Sequence, residues 1–242
     1  MPELPVAVTF DCWNTLLAEE DWPEAHRRRV DTLLHAARDA GAQLELAQAS
    51  AAFDAAWQRH QELWAAGVST GARHVAEWSM RRLGAATEGA VFEVLVAHFE
   101  HSSHSGRVVP LAGAVETVER LREAGIACAL ICDTGLTPGH VVRQHLLRVG
   151  LLRGLRAQIF SDEVGAPKPD ARMFRAALAA LGCPAREALH VGDLRRTDVA
   201  GARAAGMRSV RIRAAHDDLT DLPEADHVVA SHTELCELLG IR

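Results

Sequence analysis

The chain has 242 residues, 32 acidic against 26 basic for a net charge of −6, and is 48 % hydrophobic, enough for one large domain or two modest ones with an ample core. The acidic balance speaks against a nucleic-acid partner. No apolar run reaches the length of a membrane span, and the N-terminus enters a strand at once without the basic region of a secretory signal. Cys12, Cys128, Cys132, Cys183 and Cys236 show no CxxC spacing and read as reduced thiols in a cytoplasm.

Residues 6–16 (VAVTFDCWNTL) open with a short buried strand that ends at Phe10, and Asp11 follows. A carboxylate at the C-terminal end of a buried parallel strand sits where open α/β sheets bind their ligands, which makes Asp11 the candidate nucleophile. Asn14 and Thr15 are turn residues that lead the chain out of the sheet. Asp21 and Pro23 then open a helix to about residue 39, with Val30, Leu33, Leu34 and Ala37 at helical spacing. Further helices are expected over about 48–66, 73–83 and 87–101, the last with Val91, Val94, Leu95 and His98 on one face. Such a succession reads as a small helical bundle.

From Val108 strands and helices alternate: helix 112–124, strand 126–132, helix 138–149, a strand near 157–160, helix 171–181, strand 188–191 and a helix to Ala205. Strands 209–212 and 227–229 follow, then a last helix at whose start Ser231 and Glu234 stand in capping-box spacing. Apolar strands in this alternation predict an α/β fold, a parallel sheet with helices on both faces. Residues 1–16 and 107–242 form that core domain, and 17–106 are an inserted helical domain.

Three further sites follow strand ends: Cys132-Asp133-Thr134-Gly135, Lys168 within GAPKPD, and Gly192-Asp193 with Asp198 in HVGDLRRTD. In a doubly wound sheet these ends meet Asp11 in one crevice. Separated carboxylates suit a hard, oxygen-liganded ion such as Mg²⁺. Together with an ammonium, such an ion neutralises a phosphoryl group while Asp11 attacks it to give an aspartyl phosphate. Composition adds weight to Lys168: of the 26 basic residues it is the single lysine. A chain that uses arginine everywhere else keeps an ammonium where the compact point charge is needed.

FDCWNTL, the strand ending ICDTG, GAPKPD, HVGDLRRTDVAGARAAGM and the tail ADHVVASHTEL together resemble the haloacid dehalogenase-like hydrolases. The resemblance covers roughly 1–16 and 107–242. It implies a Rossmann-like sheet, a nucleophilic Asp11, and Lys168 holding the substrate anion beside it. It implies Mg²⁺ on Asp11, Asp193 and the backbone carbonyl of Trp13, with Asp198 supporting the metal site. The insert is similar to the all-helical cap that closes over such sites and selects the substrate. Candidate substrate contacts are Trp13, Asn14, Cys132, Asp133, Thr134 and Lys168.

Two positions depart from the family pattern. Phosphatases of the family read D-x-D-x-T, the second Asp serving as general acid and base, and Trp13 stands in its place. By register from Gly125, Cys132 takes the place of the second motif's Ser or Thr, with Asp133 next and Thr134 as an alternative hydroxyl. Without the acid, phosphate esters with poor leaving groups react slowly, since general acid catalysis is typically worth about 10²–10⁴-fold. The expected activity is Mg²⁺-dependent hydrolysis of a small phosphorylated metabolite. The alternative is a 2-haloacid dehalogenase, whose halide leaves without a proton and whose cap arginine (Arg27, Arg28, Arg29 or Arg73 here) holds a carboxylate. A catalytically impaired ligand-binding protein is the third reading. Phosphonate cleavage through a cap Schiff-base lysine is excluded, because the cap has no lysine.

Overall fold

Fully buried Ala7, Val8 and Phe10 make β1 (Ala7–Phe10) the central strand of the computed structural model, which describes residues 4–241. Residues 1–3 and 242, assigned to the core from sequence, lie outside the described residues. The chain continues through β2 (Leu17–Glu19), α1 (Trp22–Asp39), α2 (Leu46–Ala65), α3 (Ala72–Arg82), α4 (Ala90–His101) and β3 (Val108–Pro110). There follow α5 (Ala114–Glu123), β4 (Ala127–Cys132), α6 (Gly139–Arg148), β5 (Ala157–Phe160), α7 (Ser161–Val164) and α8 (Ala171–Leu181). The chain ends with β6 (Ala188–Gly192), α9 (Ala200–Ala204), β7 (Arg208–Ile212), β8 (His227–Val229) and α10 (His232–Leu239).

Contacts divide the chain into two compact units. One comprises the chain up to Ala18, Val109–Asp133 and the chain from Arg143; the other comprises Glu19–Val108 and Thr134–Val142. The second therefore also takes in residues 134–142, which the sequence alone assigns to the core domain.

In the first unit the described strands form a six-stranded sheet ordered β5-β4-β1-β6-β7-β8, all pairs parallel. Phe10 lies opposite Leu130 on one side and Val191 on the other, so β1, β4 and β6 end level. Alternation along the strands sends Ala7, Ala129, Ile131 and Ala188 to one face, against Met173, Phe174 and Ala177 of α8. On β4 also packs α5, which α10 covers in turn. Full burial of a side chain such as Val8 or Phe10 contributes about 1.5–3 kcal/mol each.

The second unit packs α1–α4 around Leu33, Phe53, Val75, Met80, Leu95 and Phe99. Strands β2 and β3, at the two ends of Glu19–Val108, pair as a two-stranded ribbon. That ribbon is not legible in the sequence, because strands of three residues are too short to show a period. Helix α4 starts at Ala90 rather than near 87, behind Gly89 with φ 88°, a conformation that favours glycine. Its buried face is Phe92, Leu95, Val96 and Phe99, while Val91 and Val94 are exposed. No helix of the described residues is long and apolar enough to cross a membrane.

Two expected helices differ in detail. The helix after Asp193 opens as a wide π turn over Arg195–Val199 and only then becomes α9. At α10 the Ser231 Oγ accepts the Glu234 N–H at 3.2 Å, but the Glu234 carboxylate takes the Ala230 N–H at 2.7 Å instead of that of Ser231.

Candidate active site

Asp11 is fixed by the sheet itself. Its backbone N–H donates to the Val191 carbonyl at 2.8 Å, one residue past the end of β1. The chain then reverses sharply: Leu16 and Leu17 both donate to the Cys12 carbonyl, and Asn14 N–H donates to the Leu17 carbonyl at 2.7 Å. Asn14 adopts φ 60°, which a short polar side chain tolerates better than most. Asn14 is exposed and shapes the turn; Trp13 is half-buried and bridges backbone to backbone with Leu17.

Lys168 joins the carboxylates. Its Nζ donates to Asp11 Oδ1 at 2.5 Å and to Asp198 Oδ1 at 2.7 Å, all three side chains buried. Asp133 anchors the lysine's loop, its Oδ1 accepting the Lys168 backbone N–H at 2.8 Å. The Asp133 carboxylate is thus engaged in holding the backbone of the lysine. Cys132 is fully buried, its thiol directed to the Asp133 carbonyl at 3.5 Å, with burial and the neighbouring Cys12 pushing it well above the ordinary thiol range. Thr134 belongs to the other unit.

Asp198 is saturated. Oδ1 accepts from Lys168 and from His190 Nε2 at 3.2 Å; Oδ2 accepts the Leu194 N–H at 3.0 Å and the Thr197 hydroxyl at 3.3 Å. A carboxylate has about four acceptor positions, and all are taken. Asp198 is thus engaged on every side, by Lys168, His190, Leu194 and Thr197. The π turn is what returns Asp198 to the end of β6, and Gly192 leaves room for it. A Cβ on Gly192 would overlap the Asp198 Cγ and Cβ and stand 2.8 Å from Oδ2. Gly192→Ala is therefore expected to cost about 1–3 kcal/mol by overpacking. Calorimetry should show a lower Tm, and turnover should fall further than the unfolded fraction accounts for, because Asp198 carries Lys168 with it.

Sequence reasoning missed His190. Burial keeps its imidazole neutral, so one proton arrangement satisfies every group: the Thr9 hydroxyl donates to Nδ1 at 2.8 Å and Nε2–H donates to Asp198. Phe174 of α8 supports the ring edge-on at 5.1 Å. The available signal was a polar ring within the otherwise apolar β6.

Asp11, Asp193 and Asp198 offer oxygens within 4.8 Å of one another, the one such cluster among the described residues. Burial raises Asp11 to about 7, Lys168 opposing and Asp198 reinforcing the shift. Burial and the charges of Asp11 and Asp198 raise Asp193 to about 8. Burial alone would raise Asp198 too, but the Lys168 ammonium and the His190 bond hold it well below the usual carboxylate range. Lys168 is pushed up despite burial, by Asp11, Asp198 and Asp133. Three carboxylates against one ammonium leave a charge deficit that a divalent cation fits, with Asp11 and Asp193 retaining oxygens for it.

In the other unit, the candidate cap arginines are engaged with acids: Arg27 with Glu24, Arg28 with Asp21 and Glu24, Arg29 with Glu19, and Arg73 with Glu93. Trp57 packs against the helical core and stacks on His60 with centroids 4.8 Å apart. His60, which burial pushes down to about 4, pairs with the Thr70 hydroxyl at 2.6 Å.

Comparison with known proteins identifies the family. A family model described as haloacid dehalogenase-like hydrolase matches residues 6–206. Glyceraldehyde 3-phosphate phosphatase of Methanopyrus kandleri is 30 % identical over 209 residues, 86 % of this chain and 83 % of that one. Phosphoserine phosphatase of Thermus thermophilus is 35 % identical over 162 residues, 62 % of each chain. Among solved structures, a HAD phosphatase from Thermococcus onnurineus superposes with a TM-score of 0.70 at 24 % identity, covering 98 % of both chains. The magnesium-bound HAD hydrolase YfnB from Bacillus subtilis gives 0.69 at 18 % identity, covering 99 % of this chain and 100 % of that one; at such identities the likeness concerns the fold.

Proposed function

This chain belongs to the haloacid dehalogenase-like hydrolases, and from that premise we propose that it hydrolyses the phosphate ester of a small metabolite through a phosphoryl intermediate on Asp11. The observation that carries the reading is Lys168 Nζ held between Asp11 Oδ1 and Asp198 Oδ1 beside a further carboxylate, Asp193. The lysine fixes one Asp11 oxygen and leaves the other to attack phosphorus in line with the departing ester oxygen. Its ammonium then faces the phosphoryl oxygens, where fixed charge in a dry site is most effective. Attack forms the Asp11 Oδ–P bond and breaks the ester P–O bond; water next attacks the phosphorus, releasing inorganic phosphate and restoring Asp11. Asp11, Asp193 and the Trp13 carbonyl would hold Mg²⁺, which when bound offsets phosphoryl charge.

Trp13 offers no proton to the departing oxygen, so the preferred substrates are phosphates whose leaving group needs none, such as acyl, enol and aryl phosphates. The names of the relatives point to three-carbon phosphate esters as the first alkyl substrates to compare. The direct test is phosphate release from acetyl phosphate, p-nitrophenyl phosphate and these esters, with Mg²⁺ and with a chelator. Metal-dependent turnover, fastest on acyl and aryl phosphates, is expected. Trp13 also favours a second reading, carbon–halogen hydrolysis, since halide leaves as an anion. Metal-independent halide release from a short 2-halocarboxylate, with no phosphate release, would replace the first reading by the second.

The raised carboxylates make a separate expectation. Asp11 and Asp193 titrate near 3.8 when unfolded and up to about 7 and 8 when folded. Between those values the folded state binds more protons, so their contribution to stability falls as pH rises through that window. Mg²⁺ competes with the same protons. The Tm increment on adding Mg²⁺ should therefore be larger at pH 8 than at pH 5.5, which differential scanning fluorimetry reads. An increment equal at both values would mean that the cation does not sit on these carboxylates.

A further inference from the structure

Within the helical unit, a groove runs between α1 and α4. One lobe, about 610 Å³, is lined by Arg28, Arg29, Asp31, His101 and Ser102. A second, about 440 Å³, is lined by Ala36, Ala90, Val91 and Leu95. Thr32, His35, Val94 and His98 border both, so the lobes are continuous.

The two ends differ in chemistry. At one end Val91 and Val94 are 37 % and 56 % exposed, on the face of α4 away from its buried Phe92 and Phe99. At the other end lies Arg29, only 2 % exposed. Its Nε donates to Ser102 Oγ at 2.8 Å, and its Nη2 has a long 3.4 Å contact with Glu19. Its plane lies over the Trp22 ring, 4.7 Å from the centroid. Nη1 is buried without a hydrogen-bond partner among the described residues. A guanidinium offers five donors and no acceptor, and buried donors are nearly always matched. Arg28 adds a second guanidinium whose Nε is also unmatched, its Nη atoms being shared with Asp21 and Glu24. His101 lines this end as well, with Asp31 as the opposing charge on the rim. No three of these groups lie close enough to hold a metal ion.

We propose that this groove binds a small organic carboxylate with a hydrocarbon tail, the carboxylate on Arg29 and the tail along Val94 and Val91. The unmatched Nη1 suits one oxygen of a carboxylate, through a charge-assisted hydrogen bond. The tail covers apolar surface that α4 otherwise leaves in water. The site is built from the helical unit alone and is independent of the reaction at Asp11.

Octanoate is the probe, because it carries no phosphate to turn over. Titrated calorimetrically into the full chain, it should bind once per chain and change Trp22 emission. Acetate, which lacks the tail, and 1-octanol, which lacks the charge, should each bind at least about tenfold more weakly. Arg29→Met should weaken octanoate at least about tenfold, the loss of one charge-assisted contact. Arg29 is buried, so Val94→Asp supplies the second arm. At an exposed helical position it should keep the wild-type Tm while weakening octanoate by a similar factor. Octanoate binding that Val94→Asp leaves unchanged overturns the proposal, as does binding no tighter than that of acetate or octanol. Light scattering that shows a dimer dissociated by Val94→Asp also overturns it, since the groove is then covered by a second copy.

Discussion

Asp11→Asn should leave the chain folded and lower turnover of every phosphate substrate by on the order of 10⁴-fold or more, as loss of a covalent nucleophile does. The amide preserves shape and still accepts from Lys168, so the loss isolates the attacking oxygen. Stability should move the opposite way. In the metal-free protein at pH 8, Asp11 adds charge to a buried cluster in which burial and Asp198 raise it to about 7. Removing that charge relieves the cluster, and Tm should rise by roughly 2–8 °C, the range that 1–2 kcal/mol gives for a chain of this size. Added Mg²⁺ should stabilise the variant less than the wild type. A variant that retains turnover would move the chemistry away from Asp11. One that loses turnover together with several degrees of Tm would make Asp11 a structural partner of Lys168.

The strands that position the site were legible because fully buried parallel strands are continuous apolar runs, and because Asp11, Asp133 and Asp193 each directly follow one. Asp11, Lys168 and Asp193 could be gathered from order alone, since a doubly wound sheet has one crevice for its strand ends. The internal wiring was not legible. Asp198 reads as one more carboxylate until its four acceptor positions are seen to be filled by Lys168, His190, Leu194 and Thr197. His190 was overlooked because a lone histidine in a strand is indistinguishable from a core residue without its neighbours. Asp133 reads as a candidate substrate contact because sequence does not show the Lys168 backbone N–H that engages it. On α4, periodicity put Val91, Val94, Leu95 and His98 on one face, but the helix buries Leu95 with Phe92, Val96 and Phe99 and leaves Val91 and Val94 exposed, because which apolar face is covered depends on the packing of its neighbours, which no local pattern encodes.

Lys168→Met should abolish turnover and cost more stability than any other single change at the site. The ammonium is the one cation among the three clustered carboxylates, and removing one partner of a buried ion pair typically costs about 3–5 kcal/mol. Because the carboxylates can take up protons instead, that cost should be greatest at high pH. The Tm deficit measured at pH 8 should exceed that at pH 5.5. Lys168→Arg separates charge from shape. It keeps the cation, but a planar fork cannot occupy the space of an Nζ held 2.5 Å from Asp11 and 2.7 Å from Asp198. Its stability loss should be smaller than that of the methionine variant, while turnover should still fall at least about 10²-fold, since small displacements of a positioned group are that costly. Near wild-type turnover in Lys168→Arg would show that position 168 needs only positive charge. The survival of one lysine beside 25 arginines would then have no chemical reason.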